Sequence, residues 1–411
     1  MIYWALLLHF YQPPTQSLDV LHRVVVESYR PLQRVLGQHH HARVTANFAG
    51  VLTEMLSHGG FTDVVTGFQR LAKRGQVELT GSAKYHAILP LIPRQEVLRQ
   101  VRLNVATNRR FFGSVYRPKG LFPPELALSP DVLDLILRSS YQWVLASGIA
   151  CPPEAPWPDR TVYQATASLK KEPGRRLAVL FRDDILSNRI SFKHMDAAGC
   201  LDHLRSLEGD GDRYVITALD AETFGHHHRG LEEEFLGRVI QALSPLQEQV
   251  RMATVSELVD LFPPGPAVTV RASSWSTTSQ DLAQNNLYPL WKGPGNRVHL
   301  LQWAHTEAAL RLVRQAQRSA QGPQGHLFAQ RSRALMDAGL HSCQYWWASR
   351  RPMWDVNMVH RGLALQQQAI LNACMALTQD GTHPERRVEV ELLRASSERL
   401  SQQILQELLR T

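Results

Sequence analysis

Tyr214-Val215-Ile216-Thr217-Ala218-Leu219-Asp220-Ala221-Glu222-Thr223-Phe224-Gly225-His226-His227-His228 passes from a β-branched, apolar run into two carboxylates, a glycine and three histidines. The run reads as a buried strand, which Gly225 and the histidines cannot continue. Asp220 is therefore an acid at the carboxyl end of a strand. Such an aspartate either does chemistry or caps the helix that begins near Leu231, and the residue alone does not choose.

The same grammar recurs along the chain. Ile2-Tyr3-Trp4-Ala5-Leu6-Leu7-Leu8 stops at His9-Phe10-Tyr11-Gln12-Pro13-Pro14, where the prolines end a strand. Val44-Thr45-Ala46 leads to Asn47 and Phe48, Gln76-Val77-Glu78-Leu79-Thr80 to Ser82 and His86, and Gly120-Leu121-Phe122 to Pro123-Pro124-Glu125. Further on, Gln142-Trp143-Val144-Leu145-Ala146 ends at Ser147-Gly148, Leu177-Ala178-Val179-Leu180-Phe181 at Arg182-Asp183-Asp184, and Val250-Arg251-Met252-Ala253-Thr254 at Ser256-Glu257. Amphipathic stretches of helical spacing lie between, at residues 61–74, 95–112, 131–138, 195–207 and 231–243. Seven or eight strands alternating with helices predict an α/β fold with a parallel sheet. Polar residues gathered at the carboxyl ends of the strands favour a closed or nearly closed barrel over an open dinucleotide-binding sheet, and no glycine-rich phosphate loop is present.

Composition bounds the function. A chain of 411 residues with 44% apolar content is long enough for a barrel and a second region. The first apolar run is too short to span a membrane and nothing basic precedes it, so it reads as the first barrel strand and not as a signal peptide or anchor. Cys151, Cys200, Cys343 and Cys374 are scattered without the spacing of a zinc site or disulfide framework, which predicts a cytoplasmic protein. The net charge of +8 comes from arginines interleaved with glutamates, as in Glu391-Leu392-Leu393-Arg394. This predicts a solvated surface and no nucleic-acid partner. No cofactor and no metal are expected.

Near Pro263-Pro264-Gly265-Pro266 the pattern changes. Residues 300–316, 326–341, 356–377 and 388–409 carry helical periodicity, so the division expected is a barrel at 1–265 and a helical region at 266–411 closing over the cleft. Six of the nine tryptophans, Trp275, Trp291, Trp303, Trp346, Trp347 and Trp354, lie in the second part. Flat aromatic faces either stack on sugar rings or fill an interface.

These motifs resemble glycoside hydrolase family 57, which includes retaining α-amylases, 4-α-glucanotransferases and branching enzymes. His9-Phe10-Tyr11-Gln12-Pro13 resembles the family's first motif, and Glu78-Leu79 with Ser82, His86 and Pro90 resembles its second. Gly120-Leu121-Phe122-Pro123-Pro124-Glu125 is similar to the third, which carries the nucleophile, and Asp220-Ala221-Glu222-Thr223-Phe224-Gly225 to the fourth, which carries the acid/base. Gln344-Tyr345-Trp346-Trp347-Ala348-Ser349, running on to Trp354, occupies the place of the fifth.

The resemblance implies a (β/α)7 barrel followed by a mainly helical region, an α-glucan substrate, Glu125 as nucleophile and Asp220 as acid/base. In a retaining glycosidase such a pair stands about 5–5.5 Å apart. It further implies substrate-binding roles for His9, Tyr11, Gln12, Glu78, His86, Phe122, Arg182, Asp183, Glu222, Trp346, Trp347 and Trp354. Three residues depart from the pattern: Tyr11 for the second histidine, Phe122 for a tryptophan and Ala221 for a glycine. The alternatives are an inactive glycan-binding protein on this fold and a metal-dependent polysaccharide deacetylase. Against the latter, no two of the 18 histidines are four residues apart.

Overall fold

The computed structural model describes residues 1–166, 176–378 and 384–410. The chain forms two compact units, Met1–Lys84 with Ile88–Ser279, and Tyr85–Ala87 with Gln280–Thr411. Among the described residues ten strands form: β1 (Ile2–Phe10), β2 (Val44–Phe48), β3 (Val77–Thr80), β4 (Gly120–Leu121), β5 (Trp143–Ala146), β6 (Val162–Ala165), β7 (Ala178–Phe181), β8 (Arg213–Asp220), β9 (Val250–Met252) and β10 (Pro264–Val268).

Parallel ladders run β3-β2-β1-β8 and β4-β5-β7. Two seams close the ring. Gly81 N–H donates to Gly120 O at 2.8 Å and Phe122 N–H to Gly81 O at 2.9 Å, joining β3 to β4, while Asp183 N–H donates to Ile216 O at 2.7 Å, joining β7 to β8. Seven parallel strands thus make a (β/α)7 barrel in the order β1-β2-β3-β4-β5-β7-β8.

Alternation along the strands separates two cores. Tyr3, Ala5 and Leu7 of β1 point inward to meet Phe122, Trp143, Leu145, Leu180, Ile216 and Ala218. Leu6, Leu8 and Phe10 point outward against helix residues such as Leu21, Leu32 and Leu52. Strands buried on both faces are the reason that β1 reads as a continuous apolar run. β9 pairs with β1 only at Ile2–Trp4 and leads into helix Val255–Leu261, which begins with a capping box of Thr254 and Glu257. Val255, Leu258 and Phe262 enter the inner core from the amino-terminal end of the barrel.

Two strands escape the sequence pattern. β6 runs antiparallel to β7, and β10 adds to β6 with an irregular register. The prolines at 264 and 266 read as a break, yet an edge strand tolerates them because its outward N–H positions need no ladder partner.

The second unit is built from helices Arg297–Ser319, Gly322–Ala338, Cys343–Trp346, Val356–Leu377 and Pro384–Leu409. One of its apolar clusters joins Val298, Ala348, Val359, Leu363, Ile404 and Leu408, with Trp347 and Trp354 packed against it. Buried polar groups there are cross-linked: Gln366 Nε2 donates to Thr306 Oγ1 at 3.0 Å and Gly339 O at 2.8 Å, and its Oε1 lies 2.8 Å from His305 Nδ1. Among the described residues no helix is long and apolar enough to cross a membrane.

Candidate active site

Strand register builds one side of the site. His9 of β1 pairs with Asp220 of β8 and with Asn47 of β2, so the three form a row at the carboxyl ends of neighbouring strands. Asn47 Nδ2 donates to Gly81 O at 3.2 Å, which turns Asn47 Oδ1 toward His9 Nδ1 at 2.7 Å. The proton of the neutral ring therefore sits on Nδ1, leaving Nε2 the lone pair. Burial lowers the His9 pKa, with Asp220 and then Asn47 opposing it.

Glu125 is held differently. It follows the two-residue β4 in the turn Pro124–Leu126, where Glu125 and Leu126 adopt φ of 60° and 48°. Consecutive non-glycine residues in the left-handed region store strain that the surroundings must hold. Trp275 does so at two points: its N–H donates to Glu125 O at 3.0 Å and its indole Nε1 to Glu125 Oε2 at 2.7 Å. The rings complete the packing. His9 stacks on Phe122 with centroids 4.7 Å apart and on Tyr11 at 6.1 Å, and Trp275 stands edge-on to His9 and Phe122.

The two carboxyls are half-buried and coupled. Burial, and next the charge of Asp220, push the Glu125 pKa up to about 8, with the Trp275 donor opposing. Burial also raises Asp220, with His9 and Arg182 opposing. Two carboxyls that repel each other do not readily ionise together, so the pair keeps a shared proton up to about pH 8.

Glu222 is a third acid, and it is buried. Gln12 Nε2 donates to its Oε1 at 3.0 Å, Tyr29 O–H donates to the same oxygen, and Gln16 Nε2 fixes Gln12 through a 2.8 Å bond to Gln12 Oε1. Burial, then Asp220, raise Glu222 to about 8, with Tyr29 and Gln12 opposing.

Arg182 serves Asp220 as a fixed charge. Its Nε donates to Ala218 O at 2.9 Å and its terminal nitrogens to Asp184 Oδ1 at 2.8 Å and Asn188 Oδ1 at 2.9 Å. Its Cζ lies 5.6 Å from the centroid of the Trp275 ring.

Other residues singled out in the sequence have different surroundings. Asp183 accepts Leu186 N–H at 2.8 Å as the cap of helix Asp184–Ser191. Glu78 lies inside the barrel, two residues before the end of β3. It accepts Ser256 N–H at 3.1 Å, Thr45 Oγ1–H at 3.1 Å and the Ser256 hydroxyl. Phe122 is fully buried against His9, so it forms the floor of the site. His86, Trp346, Trp347 and Trp354 belong to the second unit. There His86 adopts φ 57° with Nδ1 2.8 Å from Ser342 Oγ, and Trp346 packs on Trp347 at 4.8 Å.

The histidine triplets have local partners. His226 Nδ1 lies 2.6 Å from Glu27 Oε2, His228 Nε2 2.9 Å from Ser191 O and His41 Nε2 2.8 Å from Ile240 O. Among the described residues no group of three or more His, Cys, Asp or Glu is arranged to hold a metal ion. Sequence reasoning missed Trp275 and Tyr29 as partners of the acids. Asn47 carried a signal, a polar residue at the end of an apolar strand.

The profile of glycosyl hydrolase family 57 matches residues 8–271. The alpha-amylase of Pyrococcus horikoshii is 23% identical over 288 residues, 66% of this chain and 42% of that protein. The 4-alpha-glucanotransferase of Thermococcus kodakarensis is 24% identical over 290 residues, 66% of this chain and 41% of that protein. The chain thus spans less than half the length of these curated relatives. In fold it is similar to the crystal structure of the family 57 branching enzyme from Thermococcus kodakaraensis. The TM-score is 0.72 at 15% identity, over 97% of this chain and 95% of that one. With the family profile matched over more than half its length, from β1 through Arg271, the chain belongs to glycosyl hydrolase family 57.

Proposed function

We propose that this protein is a retaining enzyme of α-glucans, hydrolysing or transferring α-1,4-linked chains through a covalent glycosyl intermediate on Glu125. The observation that carries the reading is the coupled, half-buried pair Glu125 and Asp220 at the carboxyl ends of β4 and β8 in a family 57 barrel. Relatives named alpha-amylase and 4-alpha-glucanotransferase support the choice of substrate.

In the first step a Glu125 oxygen bonds to the anomeric carbon, the glycosidic C–O bond breaks, and the leaving oxygen takes its electron pair and a proton from Asp220. In the second, water or a sugar hydroxyl gives a proton to Asp220 and attacks the same carbon, releasing Glu125 as carboxylate. The productive state needs the shared proton on Asp220. Trp275 favours this by donating to Glu125 Oε2, since a hydrogen bond to a carboxylate stabilises its charged form. His9 and Arg182 then stabilise Asp220 once it has given its proton away. Stacking on Phe122 and Tyr11 keeps the His9 ring in place.

The test incubates wild-type protein and Glu125→Gln with maltoheptaose and amylose, resolving products by length and counting reducing ends. Shorter products with new reducing ends identify hydrolysis, and a ladder above and below the starting length without them identifies transfer. Unchanged substrates with wild-type protein overturn the α-glucan reading, and near-normal activity of Glu125→Gln overturns the nucleophile assignment.

A further inference from the structure

The helix connecting β1 to β2 is not uniform. It is α-helical at Leu18–Val24 and Arg30–Gln38, and between them Val25–Tyr29 forms a π-helical turn. Such a turn inserts a residue, rotates the side chains that follow and widens the helix, and it is found most often at functional sites. Here its residues meet the loop that follows Asp220 at four points. Ser28 Oγ donates to Ala221 O at 2.9 Å. Tyr29 O–H donates to Glu222 Oε1. Glu27 Oε2 lies 2.6 Å from His226 Nδ1. Gly225, at φ 105°, packs so closely that a Cβ there would stand 1.8 Å from Glu27 O.

We propose that Tyr29, delivered by this π-turn, is a positioning residue for the acid/base step, fixing Glu222 and with it the loop that carries Asp220. The inference rests on Asp220 being the acid/base of a glucan-active enzyme. Tyr29 is fully buried, with its hydroxyl on Glu222. Glu222 is two residues beyond Asp220 and also bonded to Gln12, which follows His9 by three residues. One oxygen of Glu222 thus ties the end of β1, the end of β8 and the crossover helix together. The titratable and charged groups facing this assembly are Asp220 and Tyr29 at Glu222, and Glu125, His9 and Arg182 at Asp220. In this arrangement Glu222 is a buttress behind Asp220 and not a ligand of the sugar.

The experiment compares wild type with Tyr29→Phe, which keeps the ring and removes the hydroxyl. Two readouts are taken: kcat and KM on maltoheptaose, and the titration of the Glu222 side-chain carboxyl in substrate-free protein by carbon-13 NMR, assigned by its loss in Glu222→Gln. A buttress predicts a kcat about tenfold lower with KM changed less than about twofold, because small misplacement of a reacting group costs rate more than binding. The Glu222 midpoint moves above about 8, since a donor to its carboxylate has been removed. Gln12→Met, which removes the second donor to the same oxygen and leaves the π-turn intact, moves the midpoint the same way and keeps the test open if Tyr29→Phe does not fold. An unmoved midpoint in both variants overturns the proposal whatever the rates. So does an unchanged kcat, and so does a raised KM at constant kcat, which would make Glu222 a sugar ligand. If the wild type itself turns over no glucan, the parent reading falls and this one with it. An active wild type with an indifferent Tyr29→Phe sinks this one alone.

Discussion

The two acids of the site are held by opposite means. Asp220 ends an eight-residue strand paired in register with β1 along its whole length, and its backbone is ordinary extended chain at φ −62° and ψ 133°. Glu125 follows a strand of two residues, sits at positive φ and takes a backbone and a side-chain bond from Trp275. A ladder positions a residue through many weak and redundant bonds, whereas a strained turn needs a particular partner. The Glu125 side is therefore the more sensitive to a single remote substitution.

The largest effects remove the chemistry on either side. Glu125→Gln and Asp220→Asn each lower kcat by about 10⁴-fold or more with folding intact, because each removes a reacting group at nearly constant volume. Retention of activity by one of them would remove that acid from the mechanism. Next comes the support of Glu125. Trp275→Phe lowers kcat/KM about 10–100-fold, the range expected for one hydrogen bond to a charged group. It also moves the alkaline limb of the kcat/KM profile, expected near pH 8 where the pair loses its last proton, to higher pH because the lost donor favoured the ionised form. An unmoved limb would mean that Trp275 only packs. On the other side, Asn47→Ala removes the acceptor at His9 Nδ1 and costs about tenfold. If it costs more than Trp275→Phe, the contrast between ladder and turn fails.

The smallest effect is on stability. Glu125 has a folded pKa of about 8 against the usual 4.5, so between those values the folded chain binds a proton that the unfolded chain does not. Stability carried by that proton is complete below about pH 4.5 and is lost as pH rises through about 8. Glu222 contributes in the same direction. Glu125→Gln should therefore narrow the gap between denaturation midpoints measured at pH 5 and pH 8.5, and an unchanged gap would place the proton elsewhere.

The barrel was legible because its strands are buried on both faces and end in polar residues, as in β1 and β8. β6 and β10 were not, since four residues of mixed character and a proline-rich edge carry no periodic signal. Asp220 and Glu125 could both be read as strand-end acids from their neighbours, but the positive-φ turn that holds Glu125 could not, because a turn residue has no pattern. Trp275 lies 150 positions from Glu125 and Tyr29 lies 193 from Glu222, and contacts over such separations follow from closure of the ring. The same holds for Glu78, whose place in a motif gave no sign of the Ser256 hydroxyl awaiting it inside the barrel.

Tyr85–Ala87 are built into the second unit, although the chain makes them early. His86 leaves the ribosome 256 residues ahead of Ser342, its hydrogen-bonding partner. At bacterial and eukaryotic elongation rates of about 5–20 residues per second that is a wait of about 13–51 s. During synthesis the positive-φ turn at His86 therefore waits for its bond to Ser342. Any chain released before residue 342 lacks that bond.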